Sequence, residues 1–439
     1  MYFYKKLTTL KVNAHLNIFL FFLLSYFQVL VAQPIWNYGA LLKDSIFSKD
    51  ARSVLLTPSE SLLELPLIPL NSTQFLRLQF DELELNAKDF MYSFTHCNAN
   101  WTVSDLHSSE FMSGFADNYI YDYDFSFTTK QSYVHYELFF PNNDFIFTKT
   151  GNYIITVYDP DNNNKILFTK RFMVFDPSLL VAAKVQQATL AEGRYTDHEI
   201  DITVNFTNID YVNPVRDVHL AIYQGHRWDN AITDLVPSFV ERKKLVYDFE
   251  EESSFEAGNE YRFFDTKSVR FYTERVQKII YDSTDVVLLY PDYPRGNEAY
   301  SFYDDIEGYY VPNILEKNNA NIEADYVWVN FCLKQKPFVD AGSLYLYGGL
   351  TDWQFNDNAV LDYNKDVECY ETSLYLKQGY YNYSYLFVPE GSQLPSSRQI
   401  DGNYFQTGQD YTILVYLYDY NLGYDRLLGL KRVSSRGMF

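Results

Sequence analysis

An all-β fold is predicted by three observations. The chain has 41 Tyr and 35 Phe in 439 residues with only 18 Gly and 15 Pro, its short apolar runs alternate with polar residues, and helical periodicity is scarce. Aromatic side chains fit the half-buried pleated surface of a sheet, and runs bounded by Asp, Asn, Gly or Pro clusters read as strands. In chain order these are Phe75 to Phe80, Val134 to Phe140, Tyr153 to Tyr158, Ile200 to Phe206, Val218 to Tyr223 and Val286 to Tyr290. Tyr326 to Leu333, Ser343 to Tyr347, Tyr380 to Phe387 and Tyr411 to Tyr418 complete the series. Ser268 to Ile280 is the best helical candidate. Many short strands at this spacing point to antiparallel sandwiches or barrels. A membrane barrel is disfavoured, because a lipid-facing last strand needs an apolar residue at every second position, whereas Phe439, Gly437, Ser435, Val433 and Lys431 stand there.

The first 32 residues read as a cleaved secretory signal. Lys5, Lys6 and Lys11 give a basic start, Leu16 to Leu24 is uncharged and apolar, and Val31-Ala32 precedes Gln33. The apolar stretch is short for a span, and no later run approaches the ~20 residues a membrane helix requires. Loss of this leader removes three positive charges and moves the net charge from −21 to about −24. Such a surface repels phosphate, so nucleic acid is not expected as a partner. Three cysteines are too few for a disulfide framework, and Cys332 with Cys369 is the expected pair because both fall in one inferred domain.

A mature length of about 407 residues exceeds one ordinary core. The expected division is a β-sandwich over 33–176, a second over 177–300 and a third over 301–439, all immunoglobulin-like. The first boundary falls at Asp176-Pro177. The second lies in Tyr290 to Pro312, where Pro291, Pro294, Pro312, Gly296 and Gly308 interrupt ladders.

Catalytic and metal patterns are weak. His96, Cys97 and His107 lack a fourth ligand and a supporting shell, so a turn held by His96 and Asn98 over Trp101 is the better reading. The run Asp159-Pro-Asp-Asn-Asn-Asn has Asn164 where a calcium loop needs Gly and Lys170 where it needs Glu, which favours a hairpin turn between Tyr158 and Ile166. His198, beside Asp197 and Glu199, has no nucleophile elbow to serve. Phosphate-loop and dinucleotide fingerprints are absent. No catalytic residue, cofactor or metal is expected.

Five polar and aromatic blocks remain: Phe94 to Phe115, Gln224 to Ala231 (QGHRWDNA), Phe255 to Asp265 (FEAGNEYRFFD), Asp401 to Phe405 (DGNYF) and Tyr424 to Gly429 (YDRLLG). Together with Thr150 to Tyr158 and Lys170 to Pro177 they closely resemble the plug protein family of the type IX secretion system. The resemblance runs through nearly all of the mature chain. It implies a non-enzymatic periplasmic protein, peripheral to the outer membrane, that closes the periplasmic end of a giant outer-membrane β-barrel when no cargo is exported. The barrel, and other components of the system, would be its partners.

Within these blocks, Arg227 and Asp229 flank Trp228 so that the ring can pack inward while its neighbours pair at the rim. Glu260 and Arg262 share one strand face. Both sets read either as a salt-bridged seam between domains or as a partner-docking surface, and the seam is preferred because exposed ion pairs contribute little binding energy. Gly342 to Trp353 and Leu376 to Phe387 resemble the early-set sandwich of starch-binding and glycogen-binding modules. That leaves a carbohydrate-binding accessory protein of the periplasm or cell surface as the alternative function. Trp353 is its candidate glycan contact, although packing in the core is the preferred role for so large a ring.

Overall fold

The computed structural model describes residues 38–206, 209, 213–233, 235–391 and 394–438. The expected leader over 1–32 lies outside them. A short helix at Tyr38–Leu41 belongs to a separate unit from the body, Leu42–Phe439. The body is all-β, as the composition predicts. Strands Tyr326–Leu333, Gly342–Tyr347, Gly379–Pro389 and Asp410–Asp419 fall where alternation places them, and the described helices are single turns.

Two sheets face each other first. One carries Gly151–Asp159 between Lys165–Phe175 and Met91–Cys97, and the other carries Ala51–Pro58, Leu76–Glu82, Val134–Phe140 and Asp122–Phe125. Their inner rows enclose an aromatic core in which Phe94 meets Phe140, Phe145, Phe147 and Phe172 at ring distances of 4.9 to 5.7 Å. The hairpin Gly151–Asp159 to Lys165–Phe175 turns at Asn163 and Asn164, both at positive φ, a conformation Asn tolerates because its short side chain bonds locally.

A second pair of sheets joins Leu180–Gln187, Asp197–Asn205 and Lys244–Tyr247 to a three-stranded sheet of Val218–Gln224, Asp410–Asp419 and Tyr424–Ser434. A third, nine-stranded sheet runs from Arg262–Asp265 through Gly379–Pro389 and Cys369–Lys377 to Val276–Ile280. The expected boundary near residue 300 is thus crossed in both directions. Strands before it pair with Gly379–Pro389 and Tyr326–Leu333, and strands from the end of the chain pair with Val218–Gln224. Cys332 and Cys369 form a disulfide between adjacent strands, with Cα atoms 5.7 Å apart. Cys97 is a buried free thiol whose pKa burial pushes up to about 12.

The helix expected over Ser268 to Ile280 is instead a turn followed by the strand Val276–Ile280. A bulge between Val276 and Lys278 shifts its register. Residues three apart, Val276 and Ile279, therefore both face the core, and a bulged strand imitates helical spacing.

Candidate functional site: buried junctions between the sheets

Strand Gly151–Asp159 is buried on both faces over Gly151 to Ile155 because both are covered. Tyr153, Ile155 and Val157 point into the first core, while Ile154 joins Cys97, Trp101 and Met173 against Ala221, Tyr223, Leu414, Tyr416 and Leu427 of the three-stranded sheet. Three of the five sequence blocks meet at this seam, with the runs Thr150 to Tyr158 and Lys170 to Pro177. Asn152 donates to the carbonyls of Asn98 and Ala99 at 3.0 and 3.2 Å and accepts from the Tyr416 hydroxyl at 2.8 Å. The Ala99 amide donates to Asp425 at 3.0 Å. Trp228 packs edge-on against Trp101 and Tyr223 at 5.5 and 5.0 Å, and the Arg171 guanidinium lies 4.5 Å over Trp101 and 5.3 Å over Trp228. A desolvated cation over aromatic faces contributes about 2 kcal/mol.

Beside it, Arg227 pairs with Asp229 at 2.6 Å, and the Tyr347 hydroxyl donates to the same carboxylate. Burial opposes ionisation of Asp229, but Arg227 outweighs it and holds the carboxyl below its usual range. Trp353 is half-buried among His226, Tyr261, Tyr309 and Tyr347, with ring centroids 5.5 to 6.3 Å away. Gly308, at φ +78°, makes this possible, since a Cβ there would come within 2.5 Å of the indole and 2.7 Å of Tyr261.

Glu260 and Arg262 do not pair with each other. Arg262 bridges Asp292 at 3.0 Å and Asp401 at 2.8 Å, and Arg295 reaches Asp401 at 2.9 Å. The hydroxyls of Tyr383 and Tyr385 donate to Asp292 at 2.6 and 2.8 Å. Asp401 is fully buried, yet Arg262 and Arg295 keep its pKa lowered against that desolvation. Glu260 instead accepts from Tyr300 and from the Gly408 amide, and burial raises its pKa.

Two further ionic contacts tie the first sandwich to the nine-stranded sheet, and sequence reading gave no sign of either partnership. Lys170 pairs with Asp352. Asp81, fully buried, receives Lys377 at 2.6 Å, the Tyr326 hydroxyl at 2.7 Å and His135 Nδ1 at 2.6 Å. Lys377 also donates to the Asn321 carbonyl at 2.6 Å and sits 4.3 Å over the Tyr133 ring. Burial raises the Asp81 pKa, but Lys377 and the His135 hydrogen bond outweigh it and leave it lowered.

Near the chain's end, Arg436 pairs with Glu307 and, at 3.4 Å, with Asp305. Burial and then the Asp305 charge push Glu307 up to about 8 in spite of that partner. An unfolded Glu titrates near 4.3. Between these values the folded state keeps a proton that the unfolded state has lost, so this group makes stability fall as pH rises. Urea midpoints at about pH 5 and about pH 8 are expected to differ less in Glu307→Gln than in the parent. An equal difference in both proteins contradicts the assignment.

The candidate chemical residues are engaged structurally. His96 Nε2–H donates to the Thr150 carbonyl at 3.1 Å, Nδ1 accepts from Ser104 at 2.8 Å, and burial lowers its pKa to about 4. His198 Nε2–H donates to the Phe405 carbonyl at 2.6 Å while Nδ1 accepts from Tyr411 at 2.9 Å. Burial lowers the pKa of both rings, which favours the neutral imidazole. Of the acidic clusters among the described residues, Glu199, Asp201 and Asp248 could gather round a cation, but Glu199 already accepts from Gln186 and the Thr189 amide, each at 2.8 Å.

The family described as "Type 9 secretion system plug protein 1st domain" matches residues 51–176, the span of the first sandwich and its aromatic core. A crystal structure of a hypothetical protein from Parabacteroides merdae ATCC 43184 is 34% identical, with a TM-score of 0.86 over 89% of this chain and 99% of that one. No curated protein matches. With the aromatic first sandwich and the chain-long similarity together, the protein belongs to the type 9 secretion system plug family, a structural component of that apparatus at the cell envelope.

Proposed function

We propose that this chain is the removable stopper of the type IX translocon. Exported to the periplasm by its leader, it closes the periplasmic mouth of the large outer-membrane β-barrel between export events. It does so by filling the channel and makes no chemical conversion. A stopper needs no active site, but its parts must not hinge apart under load. The observation that carries this reading is the set of buried ionic and aromatic junctions, into which the five sequence blocks fall. A buried ion pair is weak evidence for net stability, and its use here is to fix the orientation of one sandwich on the next. Arg227, Trp228 and Asp229 thus serve the interior seam between sandwiches, while Arg262 and Glu260 serve buried networks around the strand Arg262–Asp265.

The carbohydrate-binding alternative gains nothing from Trp353, whose ring is packed among four other rings. The test is a tagged pull-down of the protein from membranes dissolved in mild detergent. Co-isolation of a very large outer-membrane barrel is expected, and recovery of the protein without any barrel contradicts the proposal.

A further inference from the structure

A cleft of about 620 Å³ opens between residues 45–54 and the strand Cys369–Lys377, bordered by Tyr326, Asp352 and Lys377 of the ionic junctions. This volume is within the range of pockets that hold small ligands. Its floor is a sheet surface on which Trp328 and Tyr375 stand opposite each other, ring centroids 5.0 Å apart and inclined by 35°. Trp328 is 41% exposed, an unusual state for an indole on a central strand. At the rim are two cations, Lys49 and Arg52. Arg52 donates to its neighbour's carbonyl and lies close enough to Tyr375 to act on the phenol. The one carboxylate among the described lining residues is Asp352, and Lys170 neutralises it. In a chain of net charge −21, a cleft whose unmatched charges are both positive is selective for an anion.

From this arrangement we infer that the cleft binds a short acidic saccharide, a pyranose chain carrying carboxylates. The aromatic pair offers a flat apolar face against which the C–H face of a sugar ring lies. The side-chain amides of Asn356 and Asn358, both exposed at the rim, reach its hydroxyls, and Arg52 with Lys49 pairs the carboxylate. Arg suits this role because its planar fork takes a carboxylate in two parallel bonds. An acidic peptide would lie here as an added strand, and the cleft offers it only a broken ladder. Strand Cys369–Lys377 is paired with Tyr326–Leu333 along its length and with Val360–Asn364 only at Cys369–Glu371, and the edge strand Ala51–Pro58 is bulged between Arg52 and Leu55, with Ser53 at φ 50°.

Calorimetry on the mature protein with trigalacturonate tests this, with maltotriose and tetraglutamate as controls. Trigalacturonate should bind, more weakly as salt is raised, and more tightly than either control. Arg52→Gln and Trp328→Ala should each weaken it by about tenfold or more, at unchanged melting temperature, while Trp328→Phe retains most of the affinity. Absence of binding by trigalacturonate, equal binding in Arg52→Gln, or tetraglutamate binding as tightly would each overturn the inference.

Discussion

Lys377→Ala is expected to destabilise the protein by about 3 to 5 kcal/mol, the cost of leaving a buried charge without its partner. Asp81 is fully buried, and Lys377 is only 2% exposed. The other two groups at that carboxylate, Tyr326 and His135, cannot replace a fixed positive charge, since the phenol is neutral and the imidazole is charged only when protonated. The loss should depend on pH. Asp81 has a lowered folded pKa, so its contribution is present above the usual carboxylate range and disappears as pH falls through the lowered value. Wild type and variant should therefore approach one another in strong acid. Removing both charges at once, with Asp81→Leu and Lys377→Met, should cost far less than the single change, because well-packed apolar replacements of ion pairs are often neutral. Urea titration of the three proteins measures this, and a single-variant loss under about 1 kcal/mol would mean that water reaches the pair.

Trp353→Ala is the second large effect, at about 3 to 5 kcal/mol, as for other large aromatics removed from packed sites. The ring is held by His226, Tyr261, Tyr309 and Tyr347. Its removal also opens space beside Gly308, whose lack of a side chain exists to admit it. Because His226 and Tyr261 come from different sequence blocks, the damage should reach both sandwiches that the ring joins. Thermal unfolding followed by near-ultraviolet dichroism reads this. A variant as stable as the parent that has lost retention on a glucan gel would instead make Trp353 a ligand contact.

The strands were legible wherever one face is buried and one wet, as in Tyr326–Leu333, whose burial alternates along most of its length. Met91–Cys97 escaped notice. Its inward row is Tyr92, Phe94 and His96, and a buried His satisfied by Ser104 and the Thr150 carbonyl resembles a ligand until those partners are placed. The bulge in Val276–Ile280 misled for the opposite reason, since it produced the right spacing for the wrong element. Motif blocks identified the residues of the seams without identifying their partners. Arg262 was visible in its strand, but Asp401 lies 139 positions away and Asp81 lies 296 from Lys377. Pairings at such separation are decided by how the sandwiches pack, which no local pattern encodes. The return of Asp410–Asp419 to the strand Val218–Gln224 is the same limit at the scale of a domain.

The central claim is that this protein acts by occupying a channel, and the permeability of cells that lack it tests that claim most directly. Deleting its gene should leave an open conduit wide enough for folded proteins. Cells should then admit large antibiotics or dyes that the outer membrane normally excludes, while cargo export continues at least in part. Restoring the chain should restore the barrier. Unchanged permeability in the deletion strain, with the barrel present and not sealed by another component, would contradict the account.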